Sequence, residues 1–155
     1  MKNEPRPGKA LRPEFRPCTE ADRDWAYALK SEAYRQVVER QFGPWNEEFQ
    51  RDLFAARWRP EISRVILLDG TSIGLIALED RDAELWLDEL QIVRAWRGRG
   101  LGSVVLRDIL QQAKAAQKPL RLQVLKLNDR AETLYRRLGF TATGESETHY
   151  TMERR

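Results

Sequence analysis

The chain has 155 residues, 41% hydrophobic and 33% charged, with a formal net charge of +3. That balance suits one globular domain with one core, and no apolar run approaches the ~20 residues that a bilayer-spanning helix needs. A single cysteine, Cys18, excludes an internal disulfide, and a single histidine, His149, cannot build a metal site with it, so no metal is expected.

Residues 1–17 hold Lys2, Arg6, Lys9, Arg12 and Arg16 against Glu4 and Glu14, which is the whole positive excess. Residues 1–10 read as a loose basic tail, rich in proline and charge, ahead of a single domain over 11–155. Because the rest of the chain is neutral overall, the composition argues against a nucleic-acid partner. The N-terminus has no apolar stretch of signal-peptide kind, and a cytoplasmic location is the default expectation. Leu11 to Arg16 reads as a first strand, at a sheet edge because of Pro13. Thr19 then caps a helix with Trp25, Leu29, Ala33 and Val37 on one face, stopping near Phe42-Gly43-Pro44. Asn46 caps a second helix with Phe49, Leu53 and Phe54 expected on its inner side.

The period changes at Val65. Val65 to Leu68 and Ile73 to Leu78 flank an Asp69-Gly70 turn and read as a hairpin. Leu85 to Val93 is a third strand, followed by a Gly/Arg loop at 97–100. Leu101, Val104, Val105, Ile109 and Ala113 return to helical spacing, and Pro119 ends that stretch. Leu120 to Leu125 is a strand. Ala131, Leu134, Tyr135 and Leu138 mark a short helix closed by Gly139, and Phe140 to Thr143 and Tyr150 to Met152 are two last strands. The order β-α-α-β-β-β-α-β-α-β-β predicts an α+β fold on a mixed sheet.

The segment from Ile92 to Ser103 carries the chemistry. A strand enters, glycines follow, and a helix leaves, so outward-pointing N–H groups and the helix dipole form an anion site. Arg94, Arg97 and Arg99 add charged donors. No lysine precedes Ser103 as a Walker loop requires, and Lys118 stands where a Rossmann unit needs an acid. A plain strand-to-helix turn is the remaining structural reading.

Arg97-Gly98-Arg99-Gly100-Leu101-Gly102 matches (Gln/Arg)-x-x-Gly-x-(Gly/Ala), and one helix and one strand later comes Asn128-x-x-Ala131-x-x-Leu134-Tyr135-x-x-Leu138-Gly139-Phe140. The two motifs, in this order, resemble those of the GNAT superfamily of N-acetyltransferases, and the element pattern agrees over roughly 11–153. The resemblance implies an acyl-CoA N-acyltransferase fold with a mostly antiparallel central sheet. It implies acetyl-CoA as co-substrate, with the pyrophosphate of coenzyme A cradled by Arg97, Gly98, Arg99, Gly100, Leu101, Gly102 and Ser103. It also implies pantetheine against the backbone of Leu90, Gln91 and Ile92, and a coenzyme contact at Asn128, which is equally placed to cap its helix.

Acetyl transfer needs a base for the amine, donors for the developing oxyanion and an acid for the thiolate. The resemblance assigns the acid to Tyr135, for which a core position on the helix face is the competing reading. The Ile92 N–H is the candidate oxyanion donor, in a strand that a bulge would splay from its neighbour. Glu89 is the candidate base, expected to share a face with Leu87 and Gln91, with Asp88 on the opposite face; a solvated strand face is its competing reading. In relatives that acetylate protein N-termini, a glutamate base sits five residues before the motif asparagine, where this chain has Gln123. The acceptor side is expected around Tyr34, Phe42, Trp45, Asn46, His149 and Tyr150, taking an amine of a small molecule or peptide. A coenzyme A-binding domain without turnover is the alternative, and edge strands allow a homodimer.

Overall fold

The computed structural model describes residues 11–155; the expected tail over 1–10 lies outside them. In chain order the elements are β1 (Glu14–Pro17), α1 (Arg23–Phe42), α2 (Glu47–Arg57), β2 (Ser63–Leu68), β3 (Thr71–Asp80), β4 (Leu85–Ile92), α3 (Leu101–Ala115), β5 (Leu120–Leu125), α4 (Asp129–Arg137), β6 (Thr141–Glu145) and β7 (His149–Arg154). This is the expected order. β1 starts three residues later than the apolar pattern suggested, and it forms an edge of the sheet, where Pro17 at its end removes no interior ladder bond.

Local chemistry sets the helix ends. Asp22 accepts from the Thr19 N–H at 2.9 Å and is gripped by both Arg16 guanidinium nitrogens at 2.9 Å, which fixes the approach to α1. Asn46 caps α2 by accepting from the Phe49 N–H at 2.9 Å. The expected inner face of α2 needs one correction. Phe54 is buried between Tyr27 and Trp58, with ring centroids 5.3 and 5.4 Å away, but Phe49 is 59% exposed. α2 therefore rests on its C-terminal half, and its first turns stand clear of the core.

Among the described residues seven strands are ordered β1-β2-β3-β4-β5-β7-β6, and β4·β5 is the one parallel pair. One core fills the space between the sheet and α3 and α4, with Val105, Leu106, Ile109, Leu120, Phe140 and Met152 essentially solvent-free; each such side chain contributes about 1.5–3 kcal/mol by burial. A smaller core under α1 and α2 gathers Ala26, Leu29, Phe54, Val65 and Leu75.

Two irregularities shape the middle of the sheet. β4 pairs with β5 only over Leu85–Leu87 and Leu120–Leu122, after which the strands part. Against β3, Ala77 pairs with Glu89 and Leu78 with Leu87, so Asp88 is an extra, bulged residue. The bulge shifts the alternation. Leu85, Leu87, Leu90 and Ile92 all belong to the α3-side core, so Glu89 does not share a face with Leu87 as expected. Asp88, Glu89 and Gln91 instead line a small hollow with Ala26 and Lys30 of α1 and Phe54 of α2.

Candidate active site

The divergence of β4 from β5 opens a cleft of about 1410 Å³. Val93 donates its N–H to Ile73 of β3 at 2.8 Å. By strand alternation the N–H groups of Leu90 and Ile92 point the other way, into the space that β5 has vacated. The Gln91 side chain is 5% exposed and its backbone carbonyl faces Gly74 of β3, so Gln91 offers the cleft no backbone group on that edge. The Ile92 carbonyl accepts from Arg97 Nε at 2.9 Å, which holds that guanidinium at the head of the cleft.

At this head the chain turns into α3. Gly98 and Gly100 have φ of 74° and 78°, the left-handed region that glycine enters without strain, and no atom lies within 4 Å of where a side chain would begin at either. The first α3 bond runs from the Val104 N–H to the Gly100 carbonyl at 3.1 Å. The N–H groups of Leu101, Gly102 and Ser103 therefore emerge from the helix end, beside the open space at Gly98 and Gly100. Leu101, 2% exposed, anchors that end in the core, and Gly102 lies against Leu134 of α4.

The charge around the turn is short of anions. Burial pulls the Arg97 guanidinium below its ordinary value, and the positive charges of Arg130 and Arg94 add to the effect against Glu32. Among the described residues Arg97 Nη2 is buried with no hydrogen-bond partner, its nearest carboxylate being Glu32 at 3.9 Å. An orphaned donor among clustered cations, in the same turn that leads to the first N–H groups of α3, fits a diphosphate. Arg99 lies outside this group, exposed and over the Trp96 ring at 4.8 Å. Asn128 caps α4 by accepting from the Ala131 N–H at 3.2 Å, and it also lines the cleft.

Midway along the cleft the structure brings Glu89, Gln91 and Tyr135 together with Tyr34 and Lys30. The Lys30 ammonium lies 3.0 Å from Glu89 Oε1, and Gln91 Nε2 donates to Glu89 Oε2. The Tyr135 ring packs against Phe140 at 5.6 Å, in keeping with the core reading of this residue, and the residue also borders the cleft. Burial pushes that phenol up to about 12, and the Glu89 charge adds to the rise. The Tyr34 phenol is raised well above 10 by burial, then by Glu89 and Tyr135. Sequence reasoning missed Lys30. Its position one helical turn before Tyr34, on the same side of α1, was the available signal.

The other half of the cleft lies between α1, α2 and the β7 end of the sheet. Gln41 spans the gap: its Nε2 donates to the Thr148 carbonyl at 2.8 Å and its Oε1 accepts from the Leu127 N–H at 3.1 Å. Tyr34, Phe42, Trp45, Asn46, Gln123 and His149 line this cleft. Tyr150, expected among them, turns onto the α3-side core with Lys126 over its ring at 5.3 Å. His149 Nδ1 is 2.7 Å from Thr148 Oγ1, and burial, then the Arg57 charge, lowers its pKa.

The fold is shared with solved structures that include an N-acetyltransferase. A PaiA N-acetyltransferase from Thermoplasma acidophilum, solved with coenzyme A, superposes with a TM-score of 0.76 at 17% identity, covering 94% of this chain and 99% of that one. YjaB from Escherichia coli gives 0.72 at 19% identity, covering 92% and 97%. Arabidopsis thaliana Naa50, solved with the bisubstrate analogue CoA-Ac-MVNAL, gives 0.63 at 19% identity, covering 92% and 98%. No curated protein matches the chain by sequence. The sequence profile of the Acetyltransferase (GNAT) family matches residues 26–140. With both motifs at the parted strands and most of the chain inside that match, this protein belongs to the GNAT acetyltransferase family, whose co-substrate is acetyl-CoA.

Proposed function

We propose that this chain is an N-acetyltransferase that moves the acetyl group of acetyl-CoA directly to a primary amine of a small molecule or peptide within a ternary complex. The main support is the parting of β4 from β5, which leaves the Leu90 and Ile92 N–H groups unpaired in line with the anion cradle at α3. Acetyl-CoA supplies the acetyl group as a thioester. The N–H groups of Leu101, Gly102 and Ser103 and the Arg97 guanidinium hold its diphosphate, with Gly98 and Gly100 leaving room and Arg99 and Asn128 at the margins. The edge of β4 pairs with its pantetheine arm, and the Ile92 N–H donates to the carbonyl oxygen as it becomes negative.

Glu89 takes the proton that an alkylammonium group, near ~10.4 in water, must lose before attack. The N–C bond forms and the C–S bond breaks; the first proton leaves through Glu89 to solvent, and the acylated nitrogen sheds a second. Tyr135 is the general acid: its phenol, at about 12, hydrogen-bonds to the sulfur as the C–S bond breaks, passes it a proton and is reprotonated by the nitrogen's second proton, so that the thiol, near ~8.5, and the amide are both neutral. Direct transfer is supported by Cys18, which is buried just past the end of β1 in the smaller core with its thiol pushed up to about 11 by burial, and which does not line the cleft.

The grip of Lys30 and Gln91 on Glu89 favours a second reading, a coenzyme A-binding domain without turnover. Thiol release from acetyl-CoA separates the two. Release that depends on added amine and matches acetylamine formed supports transfer. Tight coenzyme binding with no release across a broad amine panel supports the second reading.

A further inference from the structure

Among the described residues, three large apolar side chains stand well out in solvent: Phe42 at 56%, Phe49 at 59% and Leu127 at 36%. Single exposed apolar residues are ordinary on any protein surface. These three come from separate elements, the end of α1, the first turns of α2 and the turn between β5 and α4, yet all border the same cleft. The bonds of Gln41 and Arg40 to the Leu127 backbone hold Leu127 beside the end of α1 that carries Phe42. Exposed apolar side chains from three elements along one cleft are candidates for a ligand contact.

Charge narrows the ligand. The cleft is lined by three carboxylates, Asp88, Glu89 and Asp129. Glu89 is paired with Lys30 at 3.0 Å and Asp129 with Arg40 at 3.8 Å, while Asp88 has no ion-pair partner among the described residues. One carboxylate is thus free for one ammonium group. A second or third positive charge on the acceptor would meet Lys30, Arg40 and Arg57, which also line the cleft. We propose that the acceptor is a singly charged primary amine bearing an apolar aryl or alkyl group. Its ammonium is the end turned into the cleft and its apolar group the end left toward the rim that carries Phe42, Phe49 and Leu127, a placement that rests on the acetyl-transfer reading of this cleft.

The test is steady-state thiol release with 2-phenylethylamine, a peptide beginning Met-Leu, ethanolamine and spermidine, alongside calorimetric binding of acetyl-CoA. The better of the two apolar acceptors should exceed ethanolamine and spermidine in kcat/KM by about 10-fold or more; which of the two leads tells a small amine from a peptide. Phe49→Ser and Phe42→Ser should each remove most of that preference through the KM of the apolar acceptors, leaving acetyl-CoA affinity unchanged. Preference for spermidine or ethanolamine, equal rates for all four, or coenzyme binding with no turnover of any amine would overturn the apolar assignment and leave the coenzyme site standing. Failure of the folded protein to bind acetyl-CoA would remove the acetyl-transfer reading and this inference with it.

Discussion

The Lys30 ammonium lies 3.0 Å from the Glu89 carboxylate, joining the middle of α1 to β4 one residue past the bulge at Asp88. Both side chains are about three quarters buried, at 22% and 23% exposure, so neither charge is fully hydrated without the other. If Glu89 is the base and Lys30 holds it in place, Glu89→Gln lowers kcat by about 10²-fold or more. Lys30→Met then lowers kcat in the wild type but adds little in the Glu89→Gln background, because the two act as one unit. Single-turnover acetyl transfer in the four proteins measures this. Multiplying losses would separate the two residues.

Tyr135 gives a prediction with a defined pH window. Its folded-state phenol sits at about 12 against an ordinary 10, so it remains a donor throughout the physiological range. The kcat profile should show no alkaline fall from this group below about pH 10. A raised folded value means that the native state holds the proton more tightly. The stability it contributes is complete below pH 10 and is lost as pH rises through about 12. Tyr135→Phe should lower kcat by about 10²-fold while leaving acetyl-CoA affinity unchanged. Calorimetry and turnover on the same preparation check both halves.

His149 acts in the opposite direction. Its folded-state value is lowered from 6.5, chiefly by burial and then by Arg57, so charging it opposes the native state. The stability held by the neutral ring is present above pH 6.5 and is lost as pH falls below it. Urea midpoints across this range should fall less steeply with acid in His149→Gln than in the wild type, and Arg57→Ala should recover part of the same difference. Identical slopes would mean that the ring is freely hydrated.

Much of this was legible in the residues. Helix α3 carries its core contacts where the 3.6-residue period places them, and Asp69-Gly70 and Gly139 adopt the positive φ that their turns require. The strand-to-helix turn with glycines at positive φ at 98 and 100 was readable because all its parts are local in sequence. What escaped was non-local. A bulge is a relation between two strands, and nothing in Leu87-Asp88-Glu89 announces that Asp88 will be skipped by β3, so the face shared by Glu89 was misjudged. The inner face of α2 was read from spacing alone, which could not show that its first turns overhang the cleft and leave Phe49 in solvent. Lys30 and Gln41 each reach a partner more than fifty residues away, a distance at which only the fold brings them together.

The central claim, that the α3 turn binds the diphosphate of acetyl-CoA, is tested most directly by calorimetric titration of the wild type, Gly100→Ala and Gly100→Trp. Both variants carry the same backbone strain at φ 78°, about 1–2 kcal/mol, but only tryptophan projects a large side chain into the open space there. Saturable one-site binding by the wild type, largely kept by the alanine variant and lost in a folded tryptophan variant, is the predicted result. No binding by folded wild-type protein, or equal affinity in all three, would contradict it.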